Sequence, residues 1–420
     1  MMKLLSGLSS QARQYLLITA NYWAFTLTDG ALRMLVVLHF HSLGYSPLEI
    51  ALLFIFYEFF GVVTNLLGGW LGAYLGLNRI MNIGIGLQLI ALMMLLVPSS
   101  LLTVPLVMLA QALSGIAKDL NKMSAKSTVK LLLPEDAQDR LFRLVALLTG
   151  SKNTLKGVGF FLGAALLALL GFQGAIAVMS LGLLSVWLLS LLFQSAPLGK
   201  ASYKPKFSDL FSKSSAVNGL SAARFFLFGA RDVWFVVALP IHLSSVFGWS
   251  TMQVGSFLAL WIIAYGTVQI LAPRITGSNG EKVPDGRSAF WWAVGLTIIP
   301  ALMAMAGGVS SDATSASLFQ NDLAQETLIL GLLAFGAVFA VNSSLHSYLI
   351  VRYAAADGVS LDVGFYYMAN ALGRLAGTVL SGWLYQAYGF SICLLVSAGL
   401  VAAAALFSLA LPRRPSKAAI

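Results

Sequence analysis

The chain has 420 residues, 58% of them hydrophobic and only 10% charged, with a mean hydropathy of +0.84. A soluble protein carries about 25% charged residues, and 42 charged side chains cannot cover a water-soluble globule of this length. Composition therefore excludes a soluble enzyme, a disordered chain and a nucleic-acid binder, and leaves a polytopic membrane protein.

A helix needs about 20 apolar residues to cross the hydrocarbon. Twelve such stretches follow one another, at 15–41, 46–75, 79–97, 103–132, 141–170, 174–195, 216–243, 250–272, 289–306, 327–353, 362–388 and 390–411. Turn residues punctuate the gaps: Gly44 to Pro47, Pro98, Pro134, Gly171, Pro197 and Pro412. The polar segment 197–215 carries Lys200, Lys204, Lys206 and Lys213 and reads as a linker. It divides the chain into residues 1–196 and 216–420, six helices in each. With the N-terminus inside, seventeen basic residues fall in loops on that side, from Lys3 to Lys417, and the six opposite loops hold none. Lys and Arg gather in cytoplasmic loops, so both termini are expected in the cytoplasm.

Nine basic residues remain inside spans: Arg33, Lys118, Lys122, Lys126, Lys152, Lys156, Arg224, Arg231 and Arg374. The acids there are Asp29, Glu58, Asp119 and Asp232. Each such charge costs roughly 2.5–3.5 kcal/mol at mid-bilayer on insertion scales. Lys118, Lys122 and Lys126 recur every four residues and form one stripe, with Asp119 at its border. Lys152 and Lys156 are a second i,i+4 pair. Arg224 and Arg231 share a face, and Asp29 and Arg33 share another, where they can pair. Lys126, near a helix end, can snorkel. Salt bridges to four acids account for at most four of nine cations. The surplus favours a multiply charged anion, held by Arg forks and Lys point charges. Arg33, Arg231 and Arg374 are expected to grip one oxyanion group, and Lys118, Lys122, Lys152 and Lys156 the other.

Glu58 reads either as a proton carrier or as the partner of a cation on another helix. If transport is proton-coupled, Asp29, Glu58 or Asp232 would carry the proton; uniport is equally open. His39, His41 and His242 read as interfacial packing. His346, beside Asn342, Ser343 and Ser344, reads as a helix–helix bond or a substrate contact. Trp and Tyr read as core and interface residues. One cysteine, Cys393, and four scattered histidines offer no disulfide or metal site. No metal, cofactor or catalytic constellation is expected.

The halves echo each other. Asp29 lies ten residues before His39, as Asp232 lies before His242. Gly44-Tyr45-Ser46 matches Gly248-Trp249-Ser250, and Asn153-Thr154-Leu155-Lys156 matches Asn370-Ala371-Leu372-Gly373, with Arg374 one place on. A six-helix repeat in one orientation resembles the major facilitator architecture. The segment Gly69-Trp70-Leu71-Gly72-Ala73-Tyr74-Leu75-Gly76-Leu77-Asn78-Arg79 resembles that superfamily's signature loop, with Ala73 where an acid is usual.

Two further stretches carry a narrower resemblance. Residues 20–33 (ANYWAFTLTDGALR), continuing to Tyr57-Glu58-Phe59-Phe60-Gly61, and residues 114–126 (SGIAKDLNKMSAK) are similar to the ArsJ family of bacterial organoarsenical efflux permeases. That resemblance implies a monomeric permease of the bacterial inner membrane. It implies export of 1-arseno-3-phosphoglycerate by alternating access, and arsenate resistance in partnership with a glyceraldehyde-3-phosphate dehydrogenase. The residues by themselves leave open an organophosphate/phosphate transporter or another organic-anion carrier.

Overall fold

The computed structural model describes residues 10–45, 53–98, 101–134, 137–193, 198–203, 206–210, 214–278, 283–309 and 318–412. Lys3, Lys204, Lys213, Lys282, Arg413, Arg414 and Lys417, and the Ser46-Pro47 half of the first turn, lie outside them. Every regular element among the described residues is helical. In order these are α1 (Ser10–Ser42), α2 (Ile55–Leu75), α3 (Leu77–Met94), α4 (Val104–Leu131) and α5 (Gln138–Phe193). A short 3-10 turn (Phe207–Leu210) precedes α6 (Ser215–Phe235), α7 (Ala238–Ser245), α8 (Thr251–Ile275) and α9 (Gly286–Val309). Then come α10 (Leu318–Tyr353), α11 (Val359–Tyr388) and α12 (Phe390–Leu409).

Among the described residues seven helical segments are long and apolar enough to cross a membrane by length and composition, so the chain is a multi-pass membrane protein. The long helices outside that set are α1, α2, α4 and α11. These are the helices that carry Asp29, Arg33, Glu58, the Lys118–Lys126 stripe and Arg374, which lower their hydropathy.

Two boundaries differ from expectation, whereas spans five and six are separate as expected: the two arms grouped here as α5 meet at a non-helical break, Gly171, with φ 67° and ψ −179°. That backbone region lies open to glycine and is strained for other residues. The seventh span is two helices, because Pro240 lacks an N–H and crowds the carbonyl four residues before it. The Ala238 N–H at the break is satisfied by Ser381 Oγ at 3.1 Å. The tenth helix starts at Leu318, a turn or more before the apolar stretch, since polar residues extend a helix that hydropathy does not detect.

The chain forms two compact units. Met1–Ser212 with Ala354–Met368 makes the first, and Lys213–Tyr353 with Ala369–Ile420 the second. Residues 359–368 of α11 thus pack in the first unit. Ser360 Oγ donates to the Gly69 carbonyl at 2.7 Å, and Lys130 Nζ to the Ala354 carbonyl. Asp357 accepts from the Ser202 N–H at 2.9 Å and from its hydroxyl, which holds the carboxyl below its ordinary pKa. Ala73, in the place of the usual acid, is buried with Ala201 and Leu361. An apolar contact occupies that part of the loop.

Within the first unit, α1 and the first arm of α5 touch backbone to backbone. A Cβ on Gly30 would lie 2.7 Å from the Lys156 carbonyl, and one on Gly159 would lie 2.6 Å from the Leu27 carbonyl. In the second unit, a Cβ on Gly377 of α11 would lie 2.6 Å from the Gly229 carbonyl of α6. The histidines mark the same correspondence. His39 stacks on Phe172, just after Gly171, with ring centroids 4.1 Å apart. His242 stacks on Phe390, just after Gly389, at 4.5 Å. Both glycines have positive φ, 67° and 79°. The packing role expected of these two histidines is what they have here.

Gly159→Val and Gly377→Val should each destabilise the protein by about 1–3 kcal/mol through overpacking. Gly399→Val should not, because an added Cβ there meets nothing within 4 Å. Thermal unfolding of the purified variants in detergent tests the contrast.

Candidate functional site

The glycine crossings bring the charged faces together. In the first unit Arg33 Nη2 pairs with Glu58 Oε1 on α2 at 3.1 Å. Asp29 accepts from the Tyr57 hydroxyl at 2.7 Å. Arginine's longer reach spans to the neighbouring helix. Glu58 is therefore the partner of a cation on another helix, one of its two expected roles.

Tyr57 organises this corner. Its ring is almost fully buried and lies under two cations, Lys118 Nζ 3.8 Å and the Arg33 guanidinium 4.7 Å from the centroid. Such contacts are worth up to about 2 kcal/mol when desolvated. Small residues permit this arrangement: a Cβ on Gly115 of α4 would lie 2.5 Å from the Tyr57 carbonyl.

Along α4, buried Asp119 sits between Lys118 at 3.7 Å and Lys122 at 2.5 Å. The border position read from the spacing thus becomes a shared carboxylate. Lys122 and Lys126 approach the Tyr367 ring at 4.5 and 4.9 Å, and Lys126 Nζ donates to its hydroxyl at 2.5 Å. Lys126 is only 2% exposed, so it does not snorkel. A tyrosine within its own unit satisfies it.

Lys152 and Lys156 are partly buried on α5. The charges of Arg33, Asp29, Lys118 and Glu58 all act on Lys156, which forms no ion pair or hydrogen bond with the described residues. The spans of this unit carry six cations (Arg33, Lys118, Lys122, Lys126, Lys152 and Lys156) and three carboxylates (Asp29, Glu58 and Asp119).

The second unit is built differently. Fully buried Asp232 accepts from Arg231 Nε at 2.6 Å and from Arg374 Nε at 3.0 Å. Arg224 and Arg231 do share a face, with Phe228 under both at 3.8 and 5.0 Å. Arg224 is 3% exposed and donates to Asn370 Oδ1 at 2.9 Å and to the Ser343 carbonyl and hydroxyl at 3.1 Å. It ties α6 to α10 and α11. His346 is fully buried with no hydrogen-bond partner on either ring nitrogen, and the Asn342 side chain is likewise unpartnered. The helix–helix bond expected of His346 is not formed among the described residues.

Reading tyrosines as packing alone missed three participants. Tyr57 and Tyr367 hold lysines, and Tyr22 places an unpartnered buried hydroxyl within the field of Asp29 and Asp119. Spacing offered a signal for two of them: Tyr22 lies seven residues before Asp29, on one helical face, and Tyr57 adjoins Glu58. The cluster offers several cationic donors and few acceptors, which suits oxyanion binding. Among the described residues no group of three or more His, Cys, Asp or Glu is arranged to hold a metal ion.

Two lysines should separate in stability measurements. Lys122→Met leaves Asp119 with a more distant partner and should destabilise by up to about 3–5 kcal/mol, the range for breaking a buried pair. Lys156→Met removes a cation without an ion-pair partner and should leave the melting temperature unchanged or raised.

Comparison with known proteins agrees with this architecture. Solved structures share the fold, among them the following three. The human organic anion transporter MFSD10 (TETRAN) superposes with a TM-score of 0.72 at 18% identity, covering 96% of this chain and all of that one. The Escherichia coli fucose:proton symporter FucP gives 0.71 at 12% identity, covering 96% and 99% of the two chains. A bacterial homologue of the iron transporter ferroportin, in an outward-facing state, gives 0.71 at 13% identity, covering 94% and 98%. At these identities the likeness is one of fold. No curated protein matches the sequence. The sequence itself matches the Major Facilitator Superfamily over residues 15–320 and 220–420, and the chain belongs to that family of membrane transporters.

Proposed function

We propose that this transporter exports a polyanionic organoarsenical, 1-arseno-3-phosphoglycerate, by alternating access, and so confers arsenate resistance. The observation that carries the anionic substrate is the unequal charge in the first unit, where six cations share three carboxylates and one carboxylate, Asp29, is bound by a phenol. An entering phosphate or arsenate ester supplies further oxygen acceptors to this cluster of cations. Lys156 and Lys118 are the first candidates for contact in the first unit, and Arg231 and Arg374, converging on Asp232, are those in the second. The arsenical itself rests on the resemblance of residues 20–33 and 114–126 to the ArsJ permeases. A glyceraldehyde-3-phosphate dehydrogenase would supply the ester, and the chain would act as a monomer in a bacterial inner membrane with both termini cytoplasmic.

Energetics favour the outward direction. An interior-negative potential drives each negative charge out with about 2.3 kcal/mol per 100 mV. A second reading, transport of a phosphorylated or other organic anion, draws on the same surplus of cations. The superposed human protein is by name an organic anion transporter.

Everted membrane vesicles containing the protein should accumulate arsenic when given arsenate, glyceraldehyde 3-phosphate, NAD and the dehydrogenase. Omitting any one of these should abolish uptake. Uptake of phosphate esters with none of arsenic would replace the first reading by the second. Lys156→Met should cut uptake at least about tenfold, the effect of losing one charge-assisted contact of about 1.5–3 kcal/mol.

A further inference from the structure

The two halves differ at one pair of helices outside the charged clusters. In the second unit α9 and α12 pack extensively on one another. Their counterparts in chain order, α3 and the second arm of α5 (172–193), meet less extensively. Trp187 Nε1 donates to the Asn82 carbonyl at 3.0 Å, and Ser190 Oγ to Asn82 Oδ1 at 2.8 Å. Elsewhere the pair flanks a groove of about 980 Å³. Its walls are apolar, including Ile83, Ile90, Met93, Leu181 and Leu184. Its floor is deepened at Gly86, where an added Cβ would lie 3.4 Å from the Trp187 ring. At one end stands Arg79, exposed and without a hydrogen-bond or ion-pair partner among the described residues.

We propose that this groove binds an anionic phospholipid, its headgroup phosphate on Arg79 and an acyl chain along the groove. Three features fit that ligand together. The groove is cationic at one end and apolar along the rest, which is the polarity of such a lipid. Arg79 lies on the side where the basic loops gather, and basic pockets at the cytoplasmic ends of helices attract acidic headgroups. The rise from Arg79 to Met93 is about 21 Å, more than the roughly 15 Å of one leaflet's hydrocarbon, so a chain anchored at Arg79 lies wholly within the groove. A second copy of the protein would bring another apolar face but no charge for Arg79, which is why a lipid fits better. The proposal is independent of the transported substrate.

The test uses the full chain in mild detergent, equilibrated with equal amounts of phosphatidylglycerol and phosphatidylcholine and examined by native mass spectrometry. Phosphatidylglycerol should be the retained adduct. Arg79→Gln should weaken that preference about fivefold, the effect of one surface Arg, while neutral lipid still binds. Ile90→Trp, which fills the groove from an exposed position, should reduce adducts of both lipids, and Leu109→Trp, exposed on α4, should change neither. Equal retention of the two lipids by the unaltered protein would overturn the proposal. So would an unchanged preference in Arg79→Gln, or a lipid-free dimer that dissociates in Ile90→Trp.

Discussion

Direct backbone contact between glycines sets the distances on which the charge chemistry depends. Where α1 crosses α5, and α6 crosses α11, no side chain stands between the helices. Cations on the flanking turns are then forced into one another's fields in a medium of low dielectric, where repulsion is strong. Arg33 and Lys156 are such a pair. The carboxylates nearby answer that imposed repulsion. A bulkier residue at the crossing would move the charges apart and remove the reason for the acids.

The two units solve the same electrostatic problem with different stoichiometry. In the second, one carboxylate bridges two guanidiniums while a third, Arg224, is spread over an amide and a serine. In the first, carboxylates are supplemented by aromatic rings: Tyr57 beneath Arg33 and Lys118, and Tyr367 beneath Lys122 and Lys126. A ring face attracts a cation without neutralising it. The rings hold the lysines in place without adding negative charge, which suits a binding surface for a transient anion.

Much of this was legible in the sequence, and the failures have identifiable causes. Hydropathy gave the multi-pass helical architecture, because it follows from the cost of charge in hydrocarbon. Helical spacing put Asp119 beside its lysines, since that relation lies within one helix. Pairing between helices was not legible. Nothing in the spacing of Asp29 and Arg33 says that Glu58 will take the arginine and Tyr57 the aspartate. Nor could composition show that residues 354–368 pack in the first unit, because hydrogen bonds such as Ser360 to Gly69 join positions far apart in the chain. The tyrosines were overlooked because an aromatic residue in an apolar span looks the same whether its ring meets leucine or lysine.

The matched pairs His39 on Phe172 and His242 on Phe390, each phenylalanine preceded by a positive-φ glycine, repeat one turn-and-ring arrangement in the two halves. The polar contacts do not repeat: Asp29 holds a phenol where Asp232 holds two arginines. Scaffold and chemistry are therefore separable in this molecule. Exchanging a few side chains on the charged helical faces would change the charge presented to a ligand while the turns and glycine crossings stay as they are.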